Sequence, residues 1–404
     1  MNPRLKKKLK AFLLVTPGLL VVGSLWWFGN ATVVLTSGGV YDALLLPIGS
    51  DGQAIRWRAN FSVVADNPDL ESLQGPVIWF TSDGYRASWV CGSEVLETVV
   101  PSPSETLDIE CKGRAHRFAL HNAAPNPANE STSSPNHETD GEAVPQPSSG
   151  HPPLVEPATK PEPTPQRIAV TSDLEGNVAF FESWAADLGI LGADGRWAYG
   201  DGQIAILGDV VDRGRHVFDL LWRLYHLEAE AKRAGGRVHL LLGNHEQYAF
   251  QARIKSVETE HRWAIEQIVP YAEAFAPDTV LGRWLRSKPI ILKIDRTLFL
   301  HGGSSPRVLD SGLTIEEVNA LHQKSLIPGQ VTGEEYELLH GPHSPTQYRG
   351  YVRGGDHYPE ADLEFIRRTR ETFDVDQIVV GHSKVDELGR VNTSEPDSSM
   401  LGAW

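Results

Sequence analysis

From Arg167 onward the chain alternates between short apolar runs and longer amphipathic stretches. The runs IAVTSD (168–173), QIAILGD (203–209), VHLLLGN (238–244), TLFLHGG (297–303) and DQIVVGH (376–382) each end in Asp, Asn or His with glycine nearby. Apolar runs this short, bounded by turn residues, predict buried strands. The stretches between them, VFDLLWRLYHLEAEAKRA (217–234) most clearly, carry apolar residues at helical spacing. Strand, turn and helix in repetition predict an α/β sandwich whose polar strand ends gather along one edge of the sheets.

Upstream the pattern differs. Residues 31–120 hold short alternating runs such as AIRWRANFSVV (54–64) and PVIWFTSDGYRASWVC (76–91), separated by Gly, Pro and Asp, which predicts a small β-rich module. Nothing in it resembles a reaction centre, so its expected role is adhesion to a partner, whose nature the sequence does not give, or spacing from a membrane. Residues 121–166 contain eleven prolines, few large apolar side chains and no period. Such a segment cannot bury enough surface to offset chain entropy and reads as a disordered tether. At the N-terminus, PRLKKKLK precedes an uncharged apolar run over residues 11–28. Residues 1–30 therefore read as a signal anchor or transmembrane segment, with a cleaved signal peptide as the rival. Residues 167–404 form the remaining domain.

Composition narrows this picture. A chain of 404 residues supports two or three domains, and 41% hydrophobic with 22% charged residues is globular. The formal charge of −15 excludes a nucleic-acid surface, which requires clustered Lys and Arg. Cys91 and Cys111 both lie in the β-rich module, so thiolate ligation and a cysteine nucleophile are excluded from the C-terminal half. If the chain is exported, a disulfide between them would stabilise the module by about 3 kcal/mol.

The strand ends and their turns supply Asp173, Glu175, Asp209, Asp212, Arg213, Asn244, His245, His301 and His382. Carboxylate and amide oxygens mixed with imidazole suit hard or borderline divalent ions. A carboxylate between two such ions can bridge them, and the pair can share a hydroxide and hold a phosphoryl group for in-line attack. Guanidinium groups match phosphate oxygens in bidentate geometry, and a nearby His can protonate a leaving alkoxide.

In this order, SDLEGN, GDVVDRG, LLGNHE, FLHGG and VVGH resemble the signature set of calcineurin-like metallophosphoesterases of the phosphoprotein phosphatase superfamily. GPHSPTQYRGY (341–351) is similar to the Shewanella-like phosphatase branch. The resemblance covers about residues 167–390 and implies a metallophosphoesterase-type four-layer α/β/β/α sandwich. It implies that Asp173, Glu175 and Asp209 hold one metal, and that Asp209 bridges to a second completed by Asn244, His301 and His382. It further implies His245 as general acid oriented by Asp212, with Arg213 and Arg349 gripping phosphate; Arg353 lies close by and is the competitor for the latter role. The implied cofactors are two divalent ions, manganese favoured over iron, magnesium or zinc. The implied reaction is phosphomonoester hydrolysis by a metal-bridged hydroxide, on phosphorylated protein side chains or a small phosphoester. Hydrolysis of a nucleotide or dinucleoside polyphosphate is the enzymatic alternative, and an inert membrane-tethered interaction protein is the non-enzymatic one. With the anchor, this gives a single-pass protein of a bacterial inner membrane with its catalytic domain on the periplasmic side.

Two departures from the family pattern stand out. The family has Asp-x-His-Gly where this chain has Asp173-Leu174-Glu175-Gly176. Glu175 could ligate, stand aside, or mark a dead enzyme; a carboxylate is a good hard ligand of similar reach, so ligation is favoured. A second anionic ligand neutralises more of the first ion's charge and implies a more alkaline rate optimum. After VVGH the chain runs into the polar TSEPDSSMLGAW (393–404), which either trims the domain or replaces its closing strands. Residues 246–290 predict helices, with Ile254, Val257, Trp263, Ile265 and Ile268 mostly at helical spacing, forming a cap over the site or a packed connection. His261 and His322, in polar helical stretches, are expected to face solvent.

Overall fold

The structure, a computed structural model, describes residues 31–36, 43–48, 53–57, 63–65, 73–92, 94–102, 104–120, 167–384 and 400–402. The apolar run at 11–28, the proline-rich segment at 121–166 and most of the tail after Lys384 lie outside the described residues. Among those described, no helix is long and apolar enough to cross a membrane.

The five predicted strands are all present in the C-terminal half. β10 (Ile168–Thr171), β11 (Gln203–Ile206) and β12 (Arg237–Leu240) form one parallel sheet. A second sheet has the order β13 (Ile291–Ile294), β14 (Thr297–Leu300), β15 (Gln377–Val380) and β16 (Met400–Gly402); β13 is antiparallel to β14 and the other pairs are parallel. The two sheets pack face to face through Ala205, Leu207 and Leu241 of one and Ile294, Phe299 and Val379 of the other. Alternate residues point the opposite way, because successive side chains on a strand face opposite sides. Ile204, Ile206, Leu240, Leu298 and Leu300 belong to the larger core shared with the helices. Helices thus cover both outer faces, which is the α/β/β/α layering. Within the tail, β16 pairs with β15, so the tail supplies an edge strand there.

Among the described residues the helices are α1 (Val178–Asp187), α2 (Val217–Arg233), α3 (Asn244–Phe250), α4 (Thr259–Glu266), α5 (Val280–Arg286), α6 (Pro306–Asp310), α7 (Ile315–Ser325), α8 (Gly333–His340) and α9 (Leu363–Phe373). α2 buries Val217, Leu220, Leu221, Leu224 and Leu227 at the spacing that the sequence shows, and ends on Lys232 and Arg233, which favour the negative pole of the helix dipole. Residues 246–290 form a packed connection. Ile265, Tyr271 and Phe275 are buried in the common core, and Ser256 accepts the Arg213 N–H at 3.0 Å.

His261 and His322 do not face solvent; they are 2% and 0% exposed. Polar neighbours obscure the reason. His261 stands four residues from both Val257 and Ile265 on the inward stripe, and its ring meets Phe218 and Tyr271. His322 falls in the Val318–His322–Ser325 row that α7 turns to the interior.

Among the described residues upstream, the regular elements are all strands. β1 (Ala31–Thr36), β2 (Ala43–Ile48), β3 (Gln53–Trp57) and β4 (Val63–Ala65) form one sheet. β5 (Leu73–Thr81), β6 (Gly84–Cys91) and β7 (Glu94–Pro101) form an antiparallel meander, followed by the hairpin of β8 (Thr106–Cys111) and β9 (Arg114–Ala119). A Cys91–Cys111 disulfide joins meander to hairpin. Residues 73–120 share a core with the C-terminal half: Trp222 of α2 donates to the Pro76 carbonyl at 3.0 Å, and the Ala119 N–H donates to His226 at 2.8 Å.

Candidate metal centre

β10, β11, β12, β14 and β15 each release the chain into a turn that carries one or more of the polar residues singled out in the sequence. Several turns need unusual backbone. Asp173, Glu175, Asp209, Asp212, Arg213 and His382 adopt left-handed φ values of 53°, 46°, 52°, 69°, 54° and 64°. Only four other non-glycine residues among those described do so, and such conformations persist where surrounding structure over-determines them, commonly at functional sites. Close approach fixes Gly243 as well, since a Cβ there would overlap the Asp209 carboxylate.

The turns are bonded to one another. Asp173 N–H donates to the Gly208 carbonyl at 3.1 Å and Glu175 N–H to the Asp209 carbonyl at 2.9 Å. His245 N–H donates to Asp209 Oδ1 at 2.9 Å, and His382 N–H to Asp173 Oδ2 at 2.9 Å. All ten predicted site residues converge here, including Arg349, whose Nη1 donates to the His382 carbonyl at 2.6 Å. Arg353 is exposed.

Ligand atoms gather in two groups sharing Asp209. One is Asp209, His301 and His382; the other is Asp173, Glu175 and Asp209; within each, the atoms lie within 4.8 Å of one another. His301 is fully buried and its Nδ1 pairs with the Leu207 carbonyl at 2.7 Å, which assigns the ring proton to Nδ1 and turns the Nε2 lone pair inward. Facing Nε2 are Asp209 Oδ2 at 3.0 Å, His382 Nδ1 at 3.1 Å and the Asn244 Oδ1 at 3.2 Å. Asp209 Oδ2 is buried with no hydrogen-bond partner in that arrangement. A buried oxygen without a donor, facing an inward lone pair, is the arrangement a cation resolves. The donor set fits a divalent ion, and the second group offers three carboxylates for another.

The charges follow from this packing. Burial alone would lower His301, but the Asp209 carboxylate beside it raises it to about 9. Burial and the neighbouring His301 push His382 down to about 2. Burial would raise Asp209, yet His301 holds it down at about 2. The carboxylates thus favour positive charge at His301, as a proton or as a cation on Nε2, whereas His382 is held neutral.

Beside the ligands, His245 Nδ1 meets Asp212 Oδ2 at 2.8 Å and its Nε2 is 3.8 Å from Asp209 Oδ2. Burial lowers the His245 pKa, and the Asp212 hydrogen bond together with the charges of Asp209 and Asp212 outweighs it to leave a net rise. Arg213 lies half exposed with Nη2 at 2.9 Å from His245 Nε2, and its Nη1 pairs with the Glu175 carboxylate. Glu175 is thus placed both within reach of the first ligand group and against a guanidinium.

Sequence reasoning missed Glu246. Its fully buried carboxylate accepts the N–H groups of Asp209 (2.9 Å), Gly243 (2.7 Å), Val210 (2.8 Å) and Val211 (3.1 Å), clamping two site turns together. Burial and the nearby Asp209 push it up to about 6 against the pull of those donors. Its position three residues after the Gly243 N-cap, from which a Glu side chain can reach back to the N-cap N–H, is the signal that could have found it.

A family model described as calcineurin-like phosphoesterase matches residues 166–386. Shewanella-like protein phosphatase 2 of Arabidopsis thaliana is 28% identical over 123 residues, 30% of this chain and 30% of that protein. Shewanella-like protein phosphatase 1 of Plasmodium berghei (strain Anka) is 24% identical over 225 residues, 54% of this chain and 61% of that protein. The chain thus spans less than two thirds of the length of these curated relatives. The solved structure of a cold-active protein-tyrosine phosphatase from a psychrophilic Shewanella sp. is 26% identical, covering 82% of this chain and 90% of that one at a TM-score of 0.61. That share exceeds residues 166–386, so the likeness reaches into the N-terminal strands. The chain belongs to the calcineurin-like phosphoesterase family and is similar to Shewanella-like phosphatases.

Proposed function

We propose that this protein removes phosphate from phosphorylated protein side chains, phosphotyrosine among them, as a dinuclear phosphomonoesterase. The observation that carries the reading is the pair of ligand groups sharing the buried Asp209. The phosphoprotein substrate is supported by the protein-tyrosine phosphatase activity named for the solved Shewanella structure.

When bound, two divalent ions would supply Lewis-acid charge to the phosphoryl oxygens. Asp173, Glu175 and Asp209 would hold one ion, and Asp209, Asn244, His301 and His382 the other. The mixed oxygen and imidazole donors suit manganese. Arg213, beside Glu175 and His245, and Arg349, at the His382 carbonyl, bind and orient the phosphate. Arg213 must exchange its Glu175 partner for the substrate. His245 donates a proton from Nε2 to the leaving oxygen, and Asp212 fixes its tautomer and orientation through Nδ1. The Cys91–Cys111 disulfide supports an exported protein in an oxidising compartment, in line with an N-terminal anchor and a periplasmic catalytic domain.

Turnover of p-nitrophenyl phosphate that needs added manganese and is abolished by chelator and by Asp209→Asn is expected. A phosphotyrosyl peptide should be preferred to diadenosine polyphosphate. Metal-independent turnover, or none with the site fully loaded, overturns the reading. Membrane fractionation with protease treatment of spheroplasts tests the location; a chain protected from protease refutes it.

A further inference from the structure

Behind the candidate centre lies a polar network that the chemistry above does not use. Gln247 on α3, three residues after Asn244 and two after His245, is 1% exposed, and its carboxamide is fully bonded. Nε2 donates to the Leu339 carbonyl at 3.0 Å and contacts His322 Nε2 at 3.0 Å; Oε1 accepts the Thr346 hydroxyl at 2.9 Å. One side chain thus ties the helix bearing two site residues to α7, to α8 and to the segment leading to Arg349.

That segment is held from the other side too. The Pro345 carbonyl accepts the N–H groups of Gly302 (2.8 Å) and Gly303 (3.1 Å), the residues directly after His301. Gln347 Oε1 accepts the Tyr248 hydroxyl at 3.3 Å. The chain then turns tightly, with Gln347 and Tyr348 N–H both donating to the Ser344 carbonyl at 3.1 and 3.0 Å. Arg349 follows immediately. It reaches the cluster from a loop, and a long side chain on a loop is as precise as the anchor of that loop.

We propose that Gln247 is a positioning residue for Arg349, acting through its hydrogen bond to Thr346. Burial makes the bond consequential, because an amide and a hydroxyl in a dry core have no water to replace each other. The proposal rests on the reading of Arg349 as a phosphate-binding residue.

The test is a double-mutant cycle on the manganese-loaded full chain, read as the inhibition constant of inorganic phosphate with metal content measured in parallel. Gln247→Met, which keeps length and removes all three polar partners, should raise that constant roughly tenfold, with metal content unchanged. In an Arg349→Ala background the same change should add nothing. Thr346→Val should reproduce much of the effect and Thr346→Ser should restore it, which keeps the test open if Gln247→Met folds poorly. An equal rise with and without Arg349, or a Thr346→Val variant that binds phosphate like the parent, overturns the proposal. If Arg349→Ala alone leaves the constant unchanged, the phosphate-binding reading of Arg349 fails, and the proposal with it.

Discussion

Replacing Glu246 by Gln changes one oxygen to an amide nitrogen without changing shape. The native carboxylate accepts four N–H groups, two on each oxygen. An amide keeps the two at its remaining oxygen, loses the two at the other, and turns an NH2 group against them. Hydrogen bonds to a charged acceptor contribute about 1.5–3 kcal/mol each, so two lost bonds cost about 3–6 kcal/mol. Part is offset, because the ionised carboxyl was itself costly to bury; the net expectation is a loss of about 3 kcal/mol. Urea unfolding in chelator, where metal binding does not contribute, measures it, and the m-value should stay constant. The turns carrying Asp209 and His245 should loosen with the clamp, so metal content after dialysis should fall as well. Stability within about 0.5 kcal/mol of the parent, with full metal retention, would refute the clamp.

Burial pushes His261 down to about 3 and neither ring nitrogen has a partner, so the folded state keeps it neutral while the unfolded chain protonates near pH 6.5. Its contribution is intact above pH 6.5 and is lost as pH falls toward 3; His261→Phe should therefore gain about 2 kcal/mol more at pH 5 than at pH 8 by urea unfolding, and an equal effect at both would refute this. Glu175→His should lower the pH of the rate maximum and Glu175→Gln should lower bound metal by mass spectrometry, while a raised optimum or full metal retention would contradict ligation by Glu175. Removing both Cys91 and Cys111, which close a loop with a sequence separation of 20, should cost about 3 kcal/mol, and an unchanged melting temperature would show the unfolded state does not sense the crosslink.

The centre was legible because strand ends deliver its residues in sequence order, each marked by an apolar run before it. Arg349 lacks that marker and was reached through its resemblance to a family motif. The second layer was not legible. Glu246 and Gln247 act on backbone and side chains far away in sequence, and local pattern cannot say whom a polar side chain meets. His261 and His322 failed for the complementary reason: imidazole is polar by composition yet packs like an aromatic ring, so a helical stripe that includes it looks broken when it is continuous. The docking of residues 73–120 on α2 was equally hidden, since two amphipathic surfaces in one chain do not declare that they are partners.

The Leu207 carbonyl that orients His301 belongs to the opposite layer of the sandwich, and the cluster draws Asp173, Asp209 and Asn244 from one layer and His301 and His382 from the other. Cations seated there would rivet the halves together across their seam. The binding free energy would then resist sliding of one half against the other, and starving the protein of metal would soften its architecture along with its chemistry.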